Sequence, residues 1–110
     1  MAQLLTRAAL ALVVLATAFT GAQAQQQDPA AQRGLVFMKT NCARCHSIDK
    51  LSPSPLPAAP PFRTLHQRYP VDSLAESMAE GIVTGHPTMP EFQLDPGQIA
   101  DVLAFLRTLQ

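Results

Sequence analysis

The chain has 110 residues, 47% of them hydrophobic, and its eight Lys and Arg balance eight Asp and Glu for a formal net charge of zero. That length allows one small domain at most, and the charge balance excludes the basic footprint of a nucleic-acid binder. Two cysteines are too few for a disulfide scaffold, so a domain this short calls for another staple, such as a metal or a cofactor.

Arg7 is the only charge in the first 27 residues, and an apolar run from Ala8 to Phe19 follows it. Thr20, Gly21 and the small-residue pattern Ala22-Gln23-Ala24 come next. This is the layout of a secretory signal peptide, with cleavage expected after Ala24 and residues 25–110 left as the mature domain. The rival reading, an uncleaved anchor, needs about 20 apolar residues to span a bilayer, and the run has 12. No stable membrane insertion is expected. In a bacterium the destination is the periplasm.

Asp28-Pro29 reads as a helix N-cap followed by proline at the first helical position, which predicts a helix through about Asn41. Within it Gly34 lets another backbone approach closely. Between Asp49 and Pro61 lie Pro53, Pro55, Pro57, Pro60 and Pro61, half of the ten prolines. No helix survives that density, so the segment is a stiff loop. A short helix is expected over Pro61 to Arg68, stopped by Tyr69-Pro70. Ser73-Leu74-Ala75-Glu76 has the form of a capping box, and Leu74, Met78 and Ile82 follow at helical spacing. That helix should end near Gly81 to Gly85. His86 to Leu94 reads as extended, stiffened by Pro87 and Pro90. Asp95-Pro96-Gly97-Gln98 is a second capping signal, and Ile99, Val102, Leu103 and Leu106 form one stripe of the last helix, with Phe105 beside it. No alternating run or hairpin dipeptide occurs. The predicted class is all-α.

Cys42-Ala43-Arg44-Cys45-His46 is a C-x-x-C-H sequence, the attachment signature of c-type haem. Two thiols about one helical turn apart can add to the two vinyl groups on one porphyrin edge, and the adjoining histidine then lies under the iron. Rival readings are weaker. A zinc site wants four ligands, and His66 and His86 fit no finger spacing with the motif. A redox dithiol wants a βαβ context, and no strands are predicted. Covalent attachment also takes place outside the cytoplasm, which agrees with the leader.

Met38, Met78, Met89, His66 and His86 are the candidates for the sixth iron ligand. Met38 and Met78 fall on predicted helices, where methionine is ordinarily core. Met89 stands between Thr88 and Pro90 in a stiff loop with no helix stripe to join, so it is preferred. His86 is its competitor.

With Cys42-x-x-Cys45-His46 near one end and Met89-Pro90 near the other, the chain resembles the class I mono-haem c-type cytochromes over Asp28 to Gln110. The resemblance implies a small all-α fold, about three to five helices wrapped around one covalently attached haem c. It implies that Cys42 and Cys45 carry the thioethers and that His46 and Met89 ligate the iron. It also makes the Pro60 carbonyl the acceptor from the proximal imidazole, with Phe62 as a haem contact. Gly34 and Phe105 match the family's crossing of first and last helices, with Val102 beside them. Two departures stand out. Met38 occupies a position often aromatic, with Phe37 one place early, and only Lys39 and Lys50 remain of the usual lysine ring, which argues against a strongly acidic docking partner.

The implied function is single-electron transfer in the periplasm, without enzymatic turnover. Redox proteins (a dehydrogenase, an oxidase or a cytochrome complex) are the expected partners, met as a monomer or in transient complexes. The alternatives are a haem subunit of a larger oxidoreductase and a haem-based sensor or peroxidase with a labile sixth ligand. Arg63 and Arg68 are candidate propionate partners, though surface arginines are as often simply solvated. Tyr69 is a further one.

Overall fold

The computed structural model describes residues 27–83 and 88–110, so the expected leader, together with His86 and Pro87, lies outside the described residues. Three α-helices stand among them: α1 (Pro29–Asn41), α2 (Leu74–Glu80) and α3 (Pro96–Arg107). Two 3₁₀ helices, Phe62–Gln67 and Val71–Ser73, precede α2, and no strand occurs among the described residues. The all-α class predicted from the sequence holds.

α1 and α3 begin as their sequences demand. The Asp28 carboxylate accepts from the Ala30 amide at 2.9 Å, with Pro29 at the first position. Asp95 accepts from the Gln98 amide at 2.8 Å while the Gln98 side chain accepts from the Asp95 amide at 3.1 Å, completing a reciprocal box. Four donors that a helix start leaves orphaned are thereby reduced at both ends.

The two helices cross at Gly34. A methyl group there would run into the Asp101 carbonyl and lie 2.8 Å from the Phe105 Cβ, so only glycine allows the approach. Ala31, Gly34 and Met38 are the buried face of α1, and Ile99, Val102, Leu103, Phe105 and Leu106 that of α3. Arg33 closes the rim of the crossing with a two-pronged pair to Asp101, at 2.8 and 2.7 Å. That bond holds the Asp101 carboxyl below the usual carboxylate range. Met78 of α2 and Val71 join the same core.

One local expectation is corrected and another is made more specific. Ser73 is no cap: its backbone is already helical (φ −69°, ψ −12°), and its side chain makes no capping hydrogen bond. The 3₁₀ helix Val71–Ser73 runs straight into α2, and an N-cap needs extended backbone to aim its hydroxyl at the first amides. The segment expected as a helix from Pro61 to Arg68 is a 3₁₀ helix, Phe62–Gln67. There the Pro61 carbonyl takes both the Thr64 amide and the Thr64 hydroxyl, at 3.0 and 2.8 Å, which favours the tighter three-residue repeat.

α2 ends at Glu80, and Gly81 turns the chain with φ +106°. The returning segment is tied back to α2 and to itself. The Leu94 amide donates to the Met78 carbonyl at 2.8 Å, and the Ile82 amide to the Phe92 carbonyl at 3.2 Å. The Gln93 side chain adds a bond to the Ala79 carbonyl at 3.1 Å. The stretch that carries Met89 is thus anchored at its base.

Candidate cofactor site

The C-x-x-C-H sequence forms the turn that leaves α1. The Cys45 and His46 amides both donate to the Cys42 carbonyl, at 3.1 and 3.0 Å, so the motif coils by one turn instead of extending. Cys42, Cys45 and His46 therefore line one cavity of about 950 Å³. Both cysteines are unbridged and half-buried. Burial pushes the Cys42 thiol up to about 11, the reverse of the lowered value an attacking dithiol needs. Its sulfur rests 3.7 Å from the Met38 sulfur. Met38 thus places a buried thioether beside Cys42, while Phe37 lines the cavity next to it.

His46 is oriented from two directions. Its Nδ1 lies 2.8 Å from the Pro60 carbonyl oxygen. A carbonyl only accepts, so Nδ1 carries the proton and Nε2 keeps its lone pair for another centre. The imidazole stacks on the Phe62 ring, centroids 4.5 Å apart and planes within 15°. Phe62 also lines the cavity, as does Pro60.

The rest of the wall is apolar and comes from distant parts of the chain. Leu74 and Met78 enter from α2, Val102 and Leu106 from α3, and Met89, Pro90 and Phe92 from the returning segment. Of the five candidate sixth ligands, Met38, Met78 and Met89 face this cavity. Met38 and Met78 are buried in helices and belong to the core cluster. Met89 belongs to neither a helix nor that cluster. His66 is exposed and is not on the wall, and His86 lies outside the described residues.

The two arginines part company. Arg68 and Tyr69 line the cavity, and Arg68 is the one charged side chain among the described residues that does. Arg63 turns elsewhere. Its Nη1 donates to the Ser52 carbonyl at 2.7 Å, the Ser47 hydroxyl at 3.2 Å and the Asp49 carbonyl at 3.3 Å. Arg63 thus anchors the loop and does not line the cavity. Ser47 and Ser54, which complete that network, were not singled out from the sequence. No spacing could have marked them, because their partners are set by how the loop folds back on Pro60–Arg63.

Two thiols, an imidazole with its outer nitrogen free, a thioether and an apolar hollow form a donor set that fits covalently attached haem. The volume is at the upper end of small-molecule sites, about 300–1,000 Å³. Among the described residues no three His, Cys, Asp or Glu side chains converge on a common point for a metal ion. A family model described as Cytochrome c matches residues 31–110, more than half of the chain. No curated protein and no solved structure matches it.

Proposed function

The chain belongs to the cytochrome c family, and we propose that it carries single electrons between redox partners with His46 and Met89 as the axial ligands of its iron. Its cofactor is a covalently attached haem c, which when bound supplies a one-electron ferrous–ferric couple. Cys42 and Cys45 would hold the porphyrin edge through thioethers, which would consume both cysteines of the chain. His46 presents Nε2, because Pro60 engages Nδ1 and Phe62 fixes the ring plane. Met89 supplies a soft sulfur that favours the ferrous state. Arg68, with Tyr69, would face the propionates from the cavity wall.

The observation that carries this reading is the convergence on one cavity of His46, with Nε2 free, and Met89, the one wall methionine outside the helices. If both residues bound the iron, no site would be open to oxygen, peroxide or substrate, and this supports a carrier over an enzyme. The leader read at residues 1–24 would, in a bacterium, send the domain to the periplasm, where a dehydrogenase, an oxidase or a cytochrome complex would be its partner. Among the described residues no helix is long and apolar enough to cross a membrane. Cell fractionation with haem staining tests the location. Size exclusion from native extract separates a free carrier from a permanent subunit.

The ligand test is spectroscopic. The ferric protein should show the weak sulfur-to-iron charge-transfer band. Met89→Ala should abolish it and open the iron to carbon monoxide in the ferrous state. Met78→Leu should leave the band in place, because the volume is nearly kept. A wild type without the band, whose potential rises when His86 is removed, would mean two histidine ligands. Free carbon monoxide binding by the wild type would overturn the carrier role in favour of a sensor or peroxidase.

A further inference from the structure

The dipeptide His46-Ser47 is gripped by the segment Pro60–Arg63 at four points. The Pro60 carbonyl faces the His46 Nδ1 at 2.8 Å, and the Phe62 ring stacks on the imidazole. The Phe62 amide donates to the Ser47 carbonyl at 3.0 Å, and the Arg63 guanidinium to the Ser47 hydroxyl at 3.2 Å. Ser47 is the one buried polar residue of the described core, 4% exposed. Its amide is also satisfied, by the Ser54 hydroxyl at 3.0 Å.

Arg63 extends this grip outward from the Pro60–Arg63 side. The same Nη1 reaches the Asp49 and Ser52 carbonyls. There the Asp49 carboxylate already ties the Leu51 and Ser52 amides at 2.7 and 2.6 Å. Between Ser47 and Pro60 the chain is a loop without a helix, and a loop bond is held only as firmly as its two ends. One guanidinium nitrogen thus joins the residue after the imidazole, the start of the loop and the segment that carries Pro60.

We propose that Arg63 is a positioning residue for His46: by pinning Ser47, Asp49 and Ser52 to the Pro60–Arg63 segment, it keeps the Nδ1–H on the Pro60 carbonyl and so holds Nε2 in line for the iron. The proposal rests on reading His46 as an iron ligand. Partners of this kind fix the tautomer and orientation of a ligating imidazole, so their loss is felt at the metal without any change of ligand. Because all three bonds come from a single nitrogen, a lysine ammonium with its three donors can replace them in part.

The experiment is solvent exchange of the His46 Nδ1–H, followed by NMR in the reduced haem-loaded protein. Arg63→Met, which keeps the apolar stem, should raise the exchange rate about tenfold or more through local opening. Arg63→Lys should stay within about threefold of the wild type. Arg33→Met, which breaks the α1–α3 ion pair with Asp101, is the control for general loosening and should leave the rate unchanged. If Arg63→Met does not retain haem, Ser47→Ala removes one acceptor alone and should raise the rate by about threefold. Equal rates in the Arg63→Met and wild-type proteins, or equal rises in Arg63→Met and Arg33→Met, would overturn the proposal. Failure of the ligand reading looks different: the wild type itself would lack a low-spin, six-coordinate spectrum. A normal wild-type spectrum with unchanged exchange in Arg63→Met counts against Arg63 only.

Discussion

Where α1 crosses α3, two helices far apart in the chain close on one another without room for a methyl group at Gly34, whereas residues of segments 42–61, 82–83 and 88–94 line a cavity of about 950 Å³. The crossing is complete in protein atoms. It has capped helix starts, an apolar stripe and an ion pair at the rim. The cavity walls are apolar too, but their partner surface is the cofactor, and their backbone is held by single hydrogen bonds spread over many residues. One region should respond to changes in packing, the other to loss of the group it encloses.

The largest effect should come from removing that group. In Cys42→Ser with Cys45→Ser, the haem should no longer survive denaturing electrophoresis. The haem-free chain should lose most of its helical circular dichroism, because the α1–α3 crossing alone buries too little surface to order so small a domain. Native-like helix content with a cooperative melt would show instead that the crossing stands without the cofactor.

Gly34→Ala strikes the other region. The new methyl meets backbone at Asp101, which cannot give way like a side-chain tip, so the helices must separate. We expect a loss of about 3 kcal/mol in denaturant unfolding of the haem-loaded protein, with the charge-transfer band retained in the folded fraction. Asp95→Ala tests the same region more gently. It removes the acceptor for the Gln98 amide and should cost about 1 kcal/mol, without altering the haem spectrum.

Acid should loosen the rim of the crossing last and least. The Arg33 guanidinium holds the Asp101 carboxyl below its ordinary value of 3.8, and the Ser52 and Leu51 amides do the same for Asp49. A carboxyl depressed by folding contributes stability that is present above its unfolded value and is lost as pH falls through the folded one. The melting temperature should therefore be insensitive to these groups near neutrality and fall as the pH drops below about 3.8. Asp101→Asn should flatten part of that fall, and an unaltered acid limb would show that the pair contributes nothing. Salt screens so exposed a pair, so the effect should shrink as ionic strength rises.

The parts legible in the sequence are those whose signals are local. Asp28-Pro29 and Asp95-Pro96-Gly97-Gln98 carry their own caps, so both helices start where the residues say. The stripe from Ile99 to Leu106 is buried as its spacing requires. The C-x-x-C-H sequence declares its chemistry because two thiols and an imidazole one turn apart have few other uses. Ser73 shows the limit: the letters of a capping box stand there, yet the preceding 3₁₀ helix put its backbone in the helical region. Arg63 and Arg68 show it again, since two arginines five residues apart look alike in one dimension.

Sequence alone therefore determined the all-α class, the caps of α1 and α3, the core stripe of α3 and the haem-attachment motif, because each depends on residues within a few places of one another. Tertiary structure decided which arginine faces the cavity and which binds the loop. It also decided that Met89 shares a wall with Met38 and Met78, and that the His46 imidazole has Pro60 on one side and Phe62 on the other. Those outcomes turn on which carbonyls and side chains the crossing of α1 and α3 brings together from far along the chain. A local pattern can state a residue's propensity, but its partner is set by the path of the backbone between them.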